Sequence, residues 1–254
     1  MSRTARKLSS TNVYHIVIRG IDRQRLFLEN NDYQKYLDLL NYYKSECGFH
    51  LYAYCLMSNH VHLLICTLGM ELHVIFRRLG TAYAEWFNMK YNRVGSLQQG
   101  RFYSEPVETT SYLHNVVRYI HFNPAKAGIE SFPGEKYPWS SYDSYFQSPG
   151  FVDTQTILES MGGIKHFKEY HSSPCNDICL DIDTIRRRIP DDVAVKIINT
   201  TCHCPNIVAF QELPLLTQAA NLLLLHKKGL SERQLNRLTG TPLGFIRKVI
   251  VKNR

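Results

Sequence analysis

Residues 49–67 read FHLYAYCLMSNHVHLLICT, and the fold is decided in this stretch. Its two arms, 49–57 and 60–67, are rich in aromatic and aliphatic side chains, and Ser58-Asn59 between them is a two-residue turn signal. Together they predict a β-hairpin. Because side chains alternate along a strand, His60 and His62 point to one face of the second arm while Val61, Leu63 and Ile65 point to the other. Two imidazoles about 7 Å apart on one strand face are able to chelate a single divalent cation.

The flanking segments extend the pattern. Upstream, VYHIVIR (13–19) is β-branched and aromatic, ends at Gly20, and predicts a strand. Residues 32–47 carry Tyr33, Tyr36, Leu37, Leu40 and Tyr43 at helical spacing, with Asn30 or Asn31 available as a cap and Gly48 as a stop. Downstream, 71–91 carries Leu72, Ile75, Phe76, Leu79, Tyr83, Trp86 and Phe87 at the same spacing. Residues 100–107 suit a further strand. Residues 110–121 suit a third helix, ending near Asn123 because Pro124 disfavours helical dihedrals in the residue before it. The order β, α, β, β, α, β, α with a tight central hairpin predicts an α+β fold, an antiparallel sheet covered by helices, and disfavours a doubly wound one.

After Tyr145 the periodicity weakens at Ser148, Pro149 and Gly150, and 150–212 is mixed and acidic. Short helices are expected again over 215–227, over 231–238 capped by Ser231, and over 242–252 with Pro242 in the first turn. The chain is therefore expected to divide into 1–147, a connector or accessory region 148–213, and a small all-helical segment 214–254.

Of the 254 residues 44% are apolar, ample for a core, and the net charge is +8. The charge is concentrated at the ends: residues 227–254 hold eight basic residues against one acid, and the first 30 hold six against two. Such ends suit a polyanion, with simple solubility as the plainer alternative. No apolar run approaches the roughly 18 residues of a membrane span, and no apolar stretch follows the basic start, so a cytoplasmic protein is expected. The seven cysteines cannot all pair. Cys175, Cys179, Cys202 and Cys204 lack the usual zinc spacing, which leaves free thiols as the expectation.

The helix over 110–121 offers the hairpin histidines their chemistry. Tyr119 and Asn123, four residues apart, share a helix face. A tyrosine can serve as a nucleophile, and an amide oxygen can complete a site for Mg²⁺ or Mn²⁺. Arg118, Lys126 and Arg101 are candidate phosphate contacts. His114 and His121 fall on other helix faces and read as structural. Near the C-terminus, Gly240 between two short helices and the cations Arg233, Arg237, Arg247 and Lys248 suggest a helix-turn-helix-like DNA-binding segment. Each feature has an ordinary alternative: surface histidines, a tyrosine packed in the core, solvated charges, a helical tail.

Taken jointly, the chain resembles the REP-associated tyrosine transposases, a branch of the single-tyrosine, His-hydrophobic-His (HUH) nucleases related to insertion-sequence transposases. The resemblance is carried by YHIVIRGIDRQRLF (14–27), MSNHVHLL (57–64), QGRFYSEPV (99–107), YLHNVVRYIHFNPAKAGI (112–129) and YPWSSYDSY (137–145). It implies a ferredoxin-like core in which His60, His62 and Asn123 hold the metal and Tyr119 attacks DNA. The implied function is a metal-dependent endonuclease and strand transferase on single-stranded or hairpin DNA, working through a 5′-phosphotyrosine, as monomer or homodimer. A catalytically idle repeat-binding protein, or a phosphoesterase using water, are the competing expectations.

Overall fold

The computed structural model describes residues 6–147, 150–173, 175, 177, 179–181, 189 and 191–251. The chain forms two compact units, Met1–Ile182 and Asp183–Arg254.

In the first unit the strands β1 (Val13–Arg19), β2 (Phe49–Met57), β3 (His60–Thr67) and β4 (Tyr103–Pro106) form one antiparallel sheet in the order β2-β3-β1-β4. The helices are α1 (Asn30–Cys47), α2 (Leu72–Lys90), α3 (Thr110–His121), the single turn α4 (Asn123–Lys126), α5 (Thr154–Met161) and α6 (Ile164–His171). The expected α+β architecture is the observed one. Strand β1 joins the hairpin through a full register, Val17 opposite His62 and Arg19 opposite His60. The central strands are buried over nearly their whole length, as a sheet covered on both faces requires.

Several boundaries differ from the expectation, each for a local reason. Helix α1 starts two residues early, because the buried Asp32 carboxylate lies inside it and accepts the N–H groups of Leu28 and Glu29. Strand β4 is shorter than 100–107, since Gly100 has a left-handed φ of +63° that breaks the extended backbone. Asn123 opens α4 instead of closing α3, with Pro124 in the first turn, where its missing N–H costs nothing.

The expected division at 147 and 213 is corrected. Residues 150–171 belong to the first unit: Val152, Ile157 and Phe167 are buried in its core, and Phe167 stacks on Tyr145 with centroids 4.3 Å apart. His171 bonds to His121 (3.1 Å), whose other nitrogen bonds to Ser141 (2.9 Å), so His121 has the structural role expected of it.

The second unit contains α7 (Asp191–Cys202), α8 (Ile207–Gln211), α9 (Leu215–Lys227), α10 (Glu232–Thr239) and α11 (Leu243–Val251) around Ile198, Phe210, Leu222, Leu225, Leu235 and Ile246. The weak periodicity of 191–211 hid α7 and α8, which complete this core. Ser231 caps α10 by accepting the Gln234 N–H. Gly240 is left-handed, with a φ of +70° that L side chains rarely adopt, so the turn into α11 favours glycine. Lys252, the expected end of that helix, lies outside the described residues. Among the described residues no helix is long and apolar enough to cross a membrane.

Candidate active site

Antiparallel partners share a sheet face, so the β1·β3 register places His15, two positions before Val17, on the face that carries His60 and His62. The three rings are contiguous: His15 and His62 have centroids 5.3 Å apart, His60 and His62 5.0 Å. His15 Nε2 and His62 Nδ1 share a hydrogen bond of 3.0 Å, and His60 Nδ1 is 2.7 Å from Asn59 Oδ1. In both hairpin histidines Nδ1 is thus engaged, and Nε2 is the nitrogen through which each would ligate. His62 Nε2 is buried and has no hydrogen-bond partner among the described residues.

Burial pushes the His15 pKa down to about 3. Burial also holds His62 well below the usual imidazole range, reinforced by His60, His15 and Lys126. Both rings are therefore neutral near pH 7, the form in which imidazole binds a cation.

Helix α3 brings the tyrosine to this face. Thr109 caps the helix by accepting the Tyr112 N–H (3.2 Å). Two and a half turns later, Tyr119 presents its ring edge-on to His15 and His62, with centroids at 5.9 and 5.8 Å. It is buried, and its hydroxyl donates to Asp181 Oδ2. Burial and the Asp181 carboxylate push its pKa far up, so the phenol is protonated at rest. Lys126 Nζ lies 3.7 Å over the same ring.

Beside Tyr119, Arg118 is held by a bidentate pair with Asp177 (2.8 and 2.9 Å) and lies 4.0 Å from the centre of the Tyr170 ring. The cation expected to meet phosphate is thus engaged by a carboxylate. Asn123 is nearly buried one turn beyond Tyr119, but its amide Nδ2 donates to the carbonyls of Tyr119 and Ile120. The structure therefore brings together His60, His62 and Tyr119, adds His15, and turns the Asn123 amide nitrogen onto the end of α3. Among the described residues no group of three or more His, Cys, Asp or Glu side chains is arranged to hold a metal ion. The set that remains is the imidazoles of His60 and His62 and an amide, which suits a cation accepting nitrogen and oxygen ligands.

Of the other expected contacts, Arg101 is exposed on the segment entering β4. In the second unit, Arg233 and Lys248 are exposed, while Arg237 pairs with Asp191 (2.6 Å) and Arg247 with Glu232 (3.2 Å). Cys175 and Cys179 lie in the first unit, Cys202 and Cys204 in the second, each as a free thiol.

His15, Asp177 and Asp181 are missing from the sequence expectation. His15 lies within a quoted strand, and its role needed only the pairing partner of that strand. The two aspartates lie in an acidic stretch without periodicity, where nothing marks them.

No curated protein matches the chain. A solved REP-associated tyrosine transposase bound to a REP hairpin is 16% identical, covering 61% of this chain and 96% of that one at a TM-score of 0.50, which is a likeness of fold. A chain assigned as a transposase from Deinococcus radiodurans R1 is 18% identical over 44% of this chain and 90% of that one, at a TM-score of 0.34. The model of the IS200-like transposases matches residues 9–123, the span that contains the three histidines, Tyr119 and Asn123. Over residues 9–123 the chain is similar to the IS200-like transposases.

Proposed function

We propose that this chain is a metal-dependent nuclease and strand transferase for single-stranded or hairpin DNA, with Tyr119 as nucleophile. The observation that carries this reading is the edge contact of Tyr119 with His15 and His62, which sets a hydroxyl-bearing ring against a neutral imidazole cluster. His60 and His62 would hold the cation through Nε2, and Asn123 would offer its amide oxygen. Mg²⁺ or Mn²⁺, when bound, supplies positive charge beside the scissile phosphate and draws density from its non-bridging oxygens.

The chain's own groups account for the rest. Asp181 takes the Tyr119 proton, since the hydroxyl already donates to it. The Tyr119 oxygen then bonds to phosphorus while the bond from phosphorus to the 3′ oxygen breaks, and that oxygen takes a proton from water. The product is a 5′-phosphotyrosine and a free 3′-hydroxyl, and attack by a second 3′-hydroxyl rejoins strands without ATP. Arg118, exchanging Asp177 for phosphate, and Lys126 would fix the DNA backbone. In the second unit, α10 and α11 around Gly240 would form the helix-turn-helix-like element, with Arg233 and Lys248 facing DNA.

The test is cleavage of end-labelled single-stranded and hairpin DNA in Mn²⁺, with and without chelator, by wild-type protein and by His60→Ala, His62→Ala. Cleavage that needs the cation and both histidines is expected. Full cleavage by the double variant would overturn the reading.

A further inference from the structure

The edge strand β4 is bordered by two hollows that this chemistry does not use. One, of about 510 Å³, lies between α2 and residues 96–102; the other, of about 380 Å³, is lined by Gln99, Tyr103 and Ser104. They share Arg6, Gly100, Arg101 and Phe102, so they adjoin each other.

Three kinds of group converge there. The first is positive charge. Arg77 lines the larger hollow with Arg6 and Arg101, and Glu85 is the one carboxylate among the described residues lining either. None of the three arginines is ion-paired with a described residue, and Arg6 has its pKa lowered by burial and by the neighbouring Arg101. The second is aromatic surface: Arg6 lies 3.9 Å over the Phe102 ring, which packs on Phe76 with centroids 4.6 Å apart. The third is unmet hydrogen bonding. Gln98 lines the larger hollow and Ser104 the smaller, and Gln98 Nε2 and Ser104 Oγ are buried without a partner among the described residues. Glycine at position 80 leaves room for the Gln98 amide beside α2: a Cβ there would come within 2.9 Å of Gln98 Oε1.

Cations for phosphates, aromatic faces for bases, and buried polar atoms for base edges are the elements of a single-strand site. A duplex, whose bases stay stacked inside, would use the cations alone. The location is also apt. Tyr103 stands opposite Val17, which stands opposite His62, so these three share one row across the sheet. Tyr103, on the histidine face of this edge strand, is two strand spacings, roughly 10 Å, from His62, while Ser104, opposite Ile16, faces the other side, so a nucleic-acid strand in the smaller hollow would round the sheet edge to reach the cluster.

We propose that the two hollows hold consecutive unpaired nucleotides of single-stranded DNA beside the cleavage point, with Arg77 and Arg101 on their phosphates and Phe102 against a base. This rests on the DNA-processing reading above, but its test needs no cleavage. Full-length protein is titrated with a fluorescein-labelled oligothymidylate of about twelve nucleotides, within the span of one single-strand site, and with a duplex of equal length, over a range of salt.

Arg77→Ala with Arg101→Ala should weaken single-strand binding about ten-fold and reduce the salt slope by about 1.4, or 0.7 per lost phosphate contact. Phe102→Leu should weaken it about five-fold with the slope kept and duplex binding unaffected, as loss of a stacking contact requires. Unchanged single-strand affinity in both variants, or equal losses on duplex, would overturn the proposal. Adduct formation at Tyr119 alongside unaltered binding by the variants refutes the hollows alone. Binding that depends on the hollows without any adduct refutes the nuclease reading alone.

Discussion

The hydroxyl of Tyr119 donates to the carboxylate of Asp181, so the proposed nucleophile is bound to its own proton acceptor, 62 residues away in sequence. The same short acidic segment supplies Asp177 to Arg118, and two adjacent residues of α3 are thereby held by carboxylates four positions apart.

Asp181→Asn keeps the size of the side chain and removes its capacity to take a proton. Adduct formation should slow about 100-fold, in the range of general base catalysis, with DNA affinity unchanged. Single-turnover rates measure this. A faster reaction would make Asp181 a brake on the nucleophile instead of its base.

His15→Gln should lower Mn²⁺ affinity by about 10–100-fold, because the His15 hydrogen bond to Nδ1 holds the His62 ring in place. Titration calorimetry reads the affinity, and a thermal melt shows that the fold persists. Unchanged affinity would leave His15 a packing residue only.

A stability prediction concerns Asp32, whose side chain is buried and accepts from Lys90 (2.6 Å), Tyr91 (2.9 Å) and the N–H groups of Leu28 and Glu29. Burial acts to raise its pKa, but Lys90, Leu28, Tyr91 and Glu29 together outweigh burial and lower it. A lowered carboxylate contributes stability that is full above the unfolded value of about 3.9 and is lost as pH falls through the folded one. Asp32→Ala should cost about 2 kcal/mol at pH 7, chiefly by stranding buried donors, and should flatten the acid limb of stability against pH. Urea melts at pH 7 and in acid test both; a parallel loss at every pH would contradict the sign.

In the second unit the four expected DNA cations are not equivalent. Arg233 and Lys248 are exposed, whereas Arg237 and Arg247 are in ion pairs. Replacing Arg233 and Lys248 by Ala should reduce the salt slope of duplex or hairpin binding by about 1.8, and replacing the other two should change it less. The reverse ranking would assign DNA contact to the paired arginines.

The hairpin, both long helices and the shared face of His60 and His62 were legible because strand alternation and helical spacing are local properties of the chain. Tyr119 was legible through its spacing and its motif. His15 was not, since its place beside His62 depends on which strand β1 pairs with and in what register. Asp177 and Asp181 were hidden for a stronger reason: they reach α3 across more than 55 residues with no periodic element of their own. The assignment of 150–171 to a connector failed similarly, because its two helices are short and Val152, Ile157 and Phe167 are its only fully buried apolar residues.

The most direct measurement is covalent capture. Wild-type protein and Tyr119→Phe are incubated with hairpin DNA labelled 3′ of the cut and Mn²⁺, then resolved on a denaturing gel, and the labelled peptide is mapped. Removing one buried hydroxyl leaves the ring packed against His15 and His62, so both proteins should fold and bind alike. The account predicts a 5′-linked adduct at Tyr119 in the wild type, and neither adduct nor cleavage in the variant. Equal cleavage by both proteins with no adduct in either would show that water is the nucleophile and contradict the account.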